Sequence, residues 1–205
     1  MTVPFVPICY GVRMQKRVFI IHGWGGAPNE HWLPWLQHEL EERGFEVYVP
    51  AMSTDDPVIE EWDERLEAAV GASDENTYFV GHSVGCQAIM RYLAARDEKA
   101  GGCVFVAGWF RLEGELYDEG EDILAVTMPW HETPIDFKKI RAATNKITVL
   151  LSSNDPYEAV EENAEAFQKN LDADVRILDD MGHFTAEDGV VELPEALQAV
   201  LDQAA

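Results

Sequence analysis

The sequence predicts an α/β fold, with a mostly parallel six-stranded sheet and helices on both faces of it. Short β-branched and apolar runs alternate with segments of helical periodicity along the chain. The runs are almost continuously apolar, which is typical of strands buried on both faces. The length of 205 residues suits one domain, so residues 1–205 are expected to form a single unit.

The first half of the chain begins with a strand at residues 18–21, which leads into a Gly-rich loop. A helix follows at residues 32–43, where apolar side chains recur at helical spacing until Gly44 ends it. Strands and helices then alternate at residues 46–49, 59–70, 77–80 and 85–95. Residues 1–13 do not fit this pattern, and we expect either an extension that docks on the surface or an over-long start.

The second half continues the alternation after one interruption. Strands are expected at residues 103–107, 147–151 and 175–178, with helices at 160–171 and 194–201. A long insertion at residues 109–143 separates two of these strands and is a candidate cap. Its larger side chains either line an apolar pocket or pack the insertion onto the body: Trp109, Phe110, Met128, Trp130 and His131.

Composition argues against several classes of partner. The net charge of -23 repels phosphate backbones and anionic lipid surfaces, so neither nucleic acid nor a membrane is expected as a partner. No apolar run approaches the roughly 20 residues that cross a bilayer, and the N-terminus lacks the pattern of a secretory signal. Cys9, Cys86 and Cys103 form no CxxC pair and are expected to be reduced thiols in a cytoplasmic protein.

The acidic residues are expected to form a solvated surface, with adaptation to high salt as the alternative. Their densest run, at residues 113–122, contains six acids and no base. It lacks the ligand spacing and the glycine position of an EF-hand loop. No metal is therefore expected.

The strongest local motif is Gly81-His82-Ser83-Val84-Gly85, which lies between a predicted strand and a predicted helix. It matches the G-x-S-x-G pattern, in which a sharp turn exposes the hydroxyl of the serine. Side chains two residues before and after Ser83 would collide with neighbouring backbone, which explains both glycines. The motif predicts Ser83 as a nucleophile, and a tight turn without chemistry is the alternative.

A serine hydroxyl needs an adjacent base, which in turn needs an orienting acid. This architecture supplies them in the chain order Ser, acid, His. Asp155 follows the predicted strand at 147–151, and His183 follows the one at 175–178 and is the only His after Asp155. We predict His183 as general base and Asp155 as its orienting acid. A turn aspartate that bonds its own backbone is the alternative for Asp155.

Acyl transfer also requires two donors for the oxyanion of the tetrahedral intermediate. The backbone N–H of Val84 is one candidate, and that of Trp24, in the Gly-rich loop at residues 22–26, is the other. His22, Trp109 and Trp130 are the candidate pocket residues. A dinucleotide-binding fingerprint is the alternative for the loop, but the third glycine and the acidic residue are missing, so no cofactor is expected.

The chain resembles the small serine hydrolases related to retinoblastoma-binding protein nine and the YdeN-like proteins. The resemblance covers residues 16–203 and rests on these segments: 22–26 with Trp32 and Trp35, 81–85, 134–137, 153–156 and 182–184. It implies a minimal α/β-hydrolase with a triad of Ser83, Asp155 and His183. The L-x-C-x-E motif of retinoblastoma binding is absent from this sequence, so that partner is not expected.

These observations predict hydrolysis of a small-molecule ester, thioester or activated amide through an acyl-enzyme. A peptidase-like hydrolase is one alternative. A catalytically silent fold that serves as a protein-interaction module is another. An intact triad in the expected order argues against the silent fold, because binding alone does not need it.

Overall fold

The computed structural model describes residues 15–53, 56–113 and 121–205. The proposed extension at residues 1–13, Cys9, and residues 114–120 of the acidic run lie outside the described residues. The strands are β1 (Arg17–Ile21), β2 (Glu46–Tyr48), β3 (Thr77–His82), β4 (Gly102–Val106), β5 (Ile147–Ser152) and β6 (Asp174–Leu178). The helices are α1 (Leu33–Glu41), α2 (Ile59–Val70), α3 (Val84–Ala95), α4 (Glu121–Glu132), α5 (Phe137–Ala143), α6 (Val160–Leu171) and α7 (Pro194–Ala204).

The strands form one sheet in the order β2-β1-β3-β4-β5-β6, and every neighbouring pair is parallel. This confirms the predicted α/β fold. The central strands β3, β4 and β5 are buried along their whole length, as their continuous apolar runs indicate. The edge strands β2 and β6 are only partly covered, and their sequences are more polar.

The two faces of the sheet carry separate apolar cores. Helices α2, α3, α5 and α6 contribute to one core, in which Trp62, Ile140 and Phe167 are fully buried. Helices α1 and α7 contribute to the other core, with Leu36 and Val200 fully buried. Strand β2 lies on one side of β1 in the sheet, and the next strand of the chain, β3, lies on the other side of β1. In open parallel sheets this reversal opens a crevice at the carboxyl ends of the strands, where ligands bind.

The insertion between β4 and β5 contains two helices, α4 and α5, that the sequence patterns did not predict. Asp136 caps α5, because its side chain accepts hydrogen bonds from the backbone N–H groups of Lys138 and Lys139. An N-cap aspartate is a signal that the sequence carried. Helix α4 contains Pro129, which obscures a helical pattern. None of the described helices has the length and apolar character that crossing a membrane requires.

Candidate active site

Ser83 lies in the turn between β3 and α3, with φ 53° and ψ -123°. A Cβ atom added at Gly81 would lie 2.8 Å from the backbone of Cys86, and one added at Gly85 would lie 2.5 Å from the carbonyl oxygen of Ile21. Both separations are shorter than van der Waals contact. The expectation that both flanking positions must be glycine is therefore confirmed, and the close packing holds Ser83 in its strained conformation.

Asp155 and His183 are in direct contact. Asp155 follows β5 and His183 follows β6, and His183 Nδ1 lies 2.8 Å from Oδ2 of Asp155. The Asp155 side chain is fully buried, whereas 14% of the His183 side chain is exposed. An ionised carboxylate only accepts hydrogen bonds, so this contact places the imidazole proton on Nδ1. Nε2 then carries the free lone pair that a general base needs.

Asp155 also makes the turn contact that was the alternative interpretation of this residue. Its other oxygen, Oδ1, accepts a hydrogen bond of 2.9 Å from the backbone N–H of Tyr157. One carboxylate therefore holds its own turn and the imidazole at once. The Tyr157 ring adds an edge-on contact with His183, with ring centroids 5.1 Å apart.

Ser83 and His183 line the same cavity, which has a volume of about 150 Å³. Within the described ranges no hydrogen bond joins the Ser83 hydroxyl to the His183 ring. Such contacts are often long in unliganded hydrolases and shorten when substrate binds. The structure thus brings Asp155 and His183 into contact, and it places Ser83 and His183 in the wall of one cavity.

Trp24 and Val84, whose backbone N–H groups are the proposed oxyanion donors, line the same cavity. Trp24 lies in the loop after β1, and Val84 is the first residue of α3. In the parts of the chain that the structure describes, neither backbone N–H donates a hydrogen bond. A free N–H at the first position of a helix also carries the favourable end of the helix dipole.

The insertion residues divide between the two roles that the sequence left open. Trp109 and Trp130 are buried and line the cavity, together with Pro57, Val84 and Leu112. The other three have different surroundings: Phe110 packs against Phe137 and Phe167, His131 against Trp109, and Met128 is exposed.

His22 lies apart from this cavity, unlike the expectation. Its ring is buried beneath the loop after β1, with Nδ1 2.7 Å from the carbonyl oxygen of Gly23. Nε2 accepts a hydrogen bond of 3.0 Å from the backbone N–H of Met52. Burial lowers the pKa of His22 and favours the neutral ring that this pattern requires. His22 therefore joins two loops, a role that needs a tertiary contact to be recognised.

Two residues that the sequence analysis did not single out hold His183 in place. His82 Nε2–H donates a 2.8 Å hydrogen bond to the backbone carbonyl of His183, and the two rings lie 5.2 Å apart. Asp188 accepts a 2.9 Å hydrogen bond from the backbone N–H of His183. A histidine beside the nucleophile was visible in the elbow motif, but its partner lies 101 residues away.

His82 is expected to make the free energy of unfolding depend on pH. Burial first, and then the nearby His183, lowers its pKa from 6.5 to about 3. Between these values the unfolded chain binds a proton at this residue that the folded protein excludes. The contribution of His82 to the free energy of unfolding is therefore complete above pH 6.5. It falls as the pH drops toward 3, by at most about 1.4 kcal/mol per pH unit.

Urea unfolding of His82→Gln from pH 4 to pH 7 tests this dependence. Glutamine keeps a donor for the His183 carbonyl but takes up no proton, so its stability curve should be flatter than that of the wild type. His38→Gln, at an exposed position of α1, is the matched control and should leave the slope unchanged. Parallel curves for the wild type and the His82 variant would contradict the assignment.

Comparison with known proteins agrees with this geometry. A family model described as serine hydrolase matches residues 18–203. The chain belongs to the serine hydrolase family. The YdeN protein of Bacillus subtilis is 28% identical over 184 residues, which is 88% of this chain and 92% of the relative. Serine hydrolase RBBP9 of Rattus norvegicus is 29% identical and covers 80% of this chain and 83% of its own.

Solved structures place this serine hydrolase in the α/β-hydrolase class. The crystal structure of the B. subtilis ydeN product superimposes with a TM-score of 0.81 at 26% identity, covering 93% of this chain and 99% of its own. The carboxylesterase CesB of the same organism has a TM-score of 0.65 at 12% identity and covers 94% and 85% of the two chains, which shows the shared fold alone. The resemblance to YdeN and RBBP9 is confirmed, and the protein is a hydrolase.

Proposed function

We propose that this hydrolase cleaves a small ester, thioester or activated amide through an acyl-enzyme formed on Ser83. The Ser83 hydroxyl attacks the carbonyl carbon, and His183 Nε2 takes its proton. The same nitrogen then gives the proton to the leaving group. Water, activated by His183, releases the acid and restores the serine.

The observation that carries this proposal is the 2.8 Å contact between His183 Nδ1 and Asp155 beside Ser83. It favours the one imidazole tautomer that can act as base toward a hydroxyl. The buried carboxylate also stabilises the imidazolium that forms when the serine gives up its proton. Ser83 and His183, which are distant in sequence, line one small cavity, and Asp155 contacts the ring of His183 from behind the cavity wall.

The free N–H groups of Trp24 and Val84 support the same chemistry. Both residues line the cavity that contains Ser83, and in the described residues neither N–H group donates a hydrogen bond, so each is available to a developing oxyanion. A preorganised donor of this kind contributes about 3 kcal/mol to stabilisation of the transition state.

A fluorophosphonate probe tests the proposed nucleophile directly. It should label the wild-type chain once, and mass spectrometry should find the adduct on the peptide that contains Ser83. The alkylphosphonyl group mimics the tetrahedral intermediate, so labelling requires both the nucleophile and its base. A wild-type chain that does not react would favour the silent interaction module, and an adduct at another serine would remove Ser83 from the mechanism.

The cavity sets the size of the acyl group. A volume of about 150 Å³ is comparable to cavities that hold one benzene molecule. Its walls are largely apolar, with three tryptophans among them: Trp24, Trp109 and Trp130. We therefore propose that the acyl group is uncharged and contains up to about six carbons.

Turnover of p-nitrophenyl esters should accordingly peak at short acyl chains and fall steeply by octanoate. Leu112→Ala removes part of the cavity wall and so enlarges the cavity, which should move the acyl-chain length of fastest turnover to longer chains. Leu197→Ala removes a similarly buried leucine on the opposite face of the sheet, so it controls for lost packing. Turnover that rises steadily with acyl-chain length would contradict the proposed size limit. Faster turnover of matched peptide amides than of esters would contradict the esterase assignment and favour a peptidase.

A further inference from the structure

Glu158 is a buried acid that the proposed catalytic steps do not use. Only 2% of its surface is exposed. Among the described residues neither of its carboxyl oxygens has a hydrogen-bond partner. Its backbone is held by an isolated antiparallel bridge to Leu112. Burying a carboxyl group without a partner costs free energy, which an apolar side chain at this position would avoid. The position of Glu158 therefore needs a reason outside packing.

The unpartnered carboxyl group faces the acid and the base of the proposed triad. One oxygen of Glu158, one oxygen of Asp155 and one ring nitrogen of His183 all lie within 4.8 Å of one another. One imidazole nitrogen and two carboxylate oxygens form a donor set that Zn²⁺ accepts. With zinc–ligand bonds of about 2.0–2.2 Å, tetrahedral ligands lie about 3.3 Å apart. Side-chain movements of about 1 Å are enough to reach that geometry.

We propose that Asp155, Glu158 and His183 form an inhibitory Zn²⁺ site. Its effect on turnover rests on the proposed function, whereas the binding itself does not. Zn²⁺ bonds to one oxygen of each carboxylate and to Nδ1 of His183. The hydrogen bond from Nδ1 to Asp155 breaks, and the Nδ1 proton passes to Nε2. Any proton on the Glu158 carboxyl group passes to solvent as its oxygen bonds to the ion.

Inhibition follows from the change of tautomer. With Zn²⁺ on Nδ1 the remaining ring proton is on Nε2, which can no longer accept a proton from Ser83. The two carboxylates are neutralised by the ion, so the closed site carries no uncompensated charge. The net charge of -23 raises the local concentration of cations around the whole molecule.

The surroundings of Glu158 disfavour a charged carboxylate that has no counter-ion. Burial raises the pKa of its carboxyl group well above the ordinary value, and the charge of Asp155 raises it further. The titratable groups that face it are Asp155 after β5, Cys86 on α3 and His183 after β6. Burial also raises the pKa of the Cys86 thiol. A cation held by Glu158, Asp155 and His183 would supply that counter-ion.

Metal titration of the full-length protein after EDTA treatment and dialysis tests the site. Calorimetry with Zn²⁺ should give one ion per chain, and Zn²⁺ should abolish turnover of p-nitrophenyl butyrate until EDTA restores it. Glu158→Gln should weaken both binding and inhibition at least tenfold. Glutamine has almost the shape of the neutral acid, so this variant should keep its fold and its metal-free turnover. Glu161→Gln, at an exposed position on α6, is the matched control.

A second measurement separates this proposal from the proposed function. Co²⁺ bound to these ligands should show visible absorption bands whether or not the protein turns over an ester, and Glu158→Gln should lose them. Zn²⁺ binding of equal strength in the wild type and in Glu158→Gln would overturn the site. Absence of stoichiometric binding to the wild type would do the same. Binding without inhibition in an active enzyme would overturn the inhibitory role.

Discussion

Replacing Ser83 with alanine should lower kcat/KM for a small ester by at least about 10⁴-fold. The loss is large because Ser83 supplies the only bond to the acyl group in the proposed intermediate. His183, Asp155 and the N–H donors remain in place, so a small residual rate from binding and oxyanion stabilisation is expected. Steady-state kinetics with p-nitrophenyl butyrate measures the effect, and the labelling by fluorophosphonate should disappear with it.

Ser153→Ala is the matched control for this experiment. Ser153 lies just after β5 and is exposed, and its hydroxyl accepts a hydrogen bond from the backbone N–H of Asp180. Its loss should leave turnover within about threefold of the wild type. Thermal unfolding of both variants shows whether the fold is intact. Retained turnover in a folded Ser83→Ala protein would exclude the acyl-enzyme mechanism.

Asp155→Asn should lower kcat by about 10⁴-fold while the protein stays folded. The asparagine oxygen can still accept from the Tyr157 N–H and so preserve the turn. Its amide group, however, can donate to Nδ1 of His183, which places the ring proton on Nε2. The base is then present in the correct position but in the wrong tautomer.

Steady-state kinetics of Asp155→Asn should be compared with Asp179→Asn and Asp180→Asn, the two aspartates that lie shortly before His183 in the sequence. Neither of those carboxylates has a hydrogen bond to His183 in the described residues, and we expect near wild-type turnover for both. If Asp155→Asn stayed active and one of the other two lost activity, the orienting role would belong to that residue. Loss of unfolding cooperativity in Asp155→Asn would instead point to a purely structural carboxylate.

The strand pattern shows how much of the fold was readable in the sequence. The runs at the centre of β3, β4 and β5 are apolar because both of their faces are covered, and this property is local enough to recognise. The first and last residues of the helices and strands were predicted less accurately. Helix α3 begins at Val84, one residue earlier than predicted, because the turn at Ser83 is sharper than periodicity indicates. Helices α4 and α5 were missed because Pro129 interrupts the pattern and α5 spans only seven residues.

Some residues of the candidate site could likewise be predicted from the sequence, whereas others could not. A nucleophile elbow, an acid after one strand and a histidine after a later strand are each local patterns, so Ser83, Asp155 and His183 could be proposed before their geometry was known. Residues whose role depends on a contact with a residue distant in sequence have no comparable local pattern. His82 holds His183 across 101 residues, and His22 holds the backbone of Met52 rather than lining the cavity.

The sequence by itself determined the order of strands and helices outside the insertion and the chemical types available at their ends, because both follow from neighbours within a few residues. Only the tertiary structure decided which of those side chains meet. It brought His183 into contact with Asp155 and gave the cavity its small apolar volume. It also buried Glu158 beside both residues, with no hydrogen-bond partner for its carboxyl group in the described part of the chain. These outcomes depend on how the sheet, the loops and the insertion pack together, which no short stretch of sequence specifies.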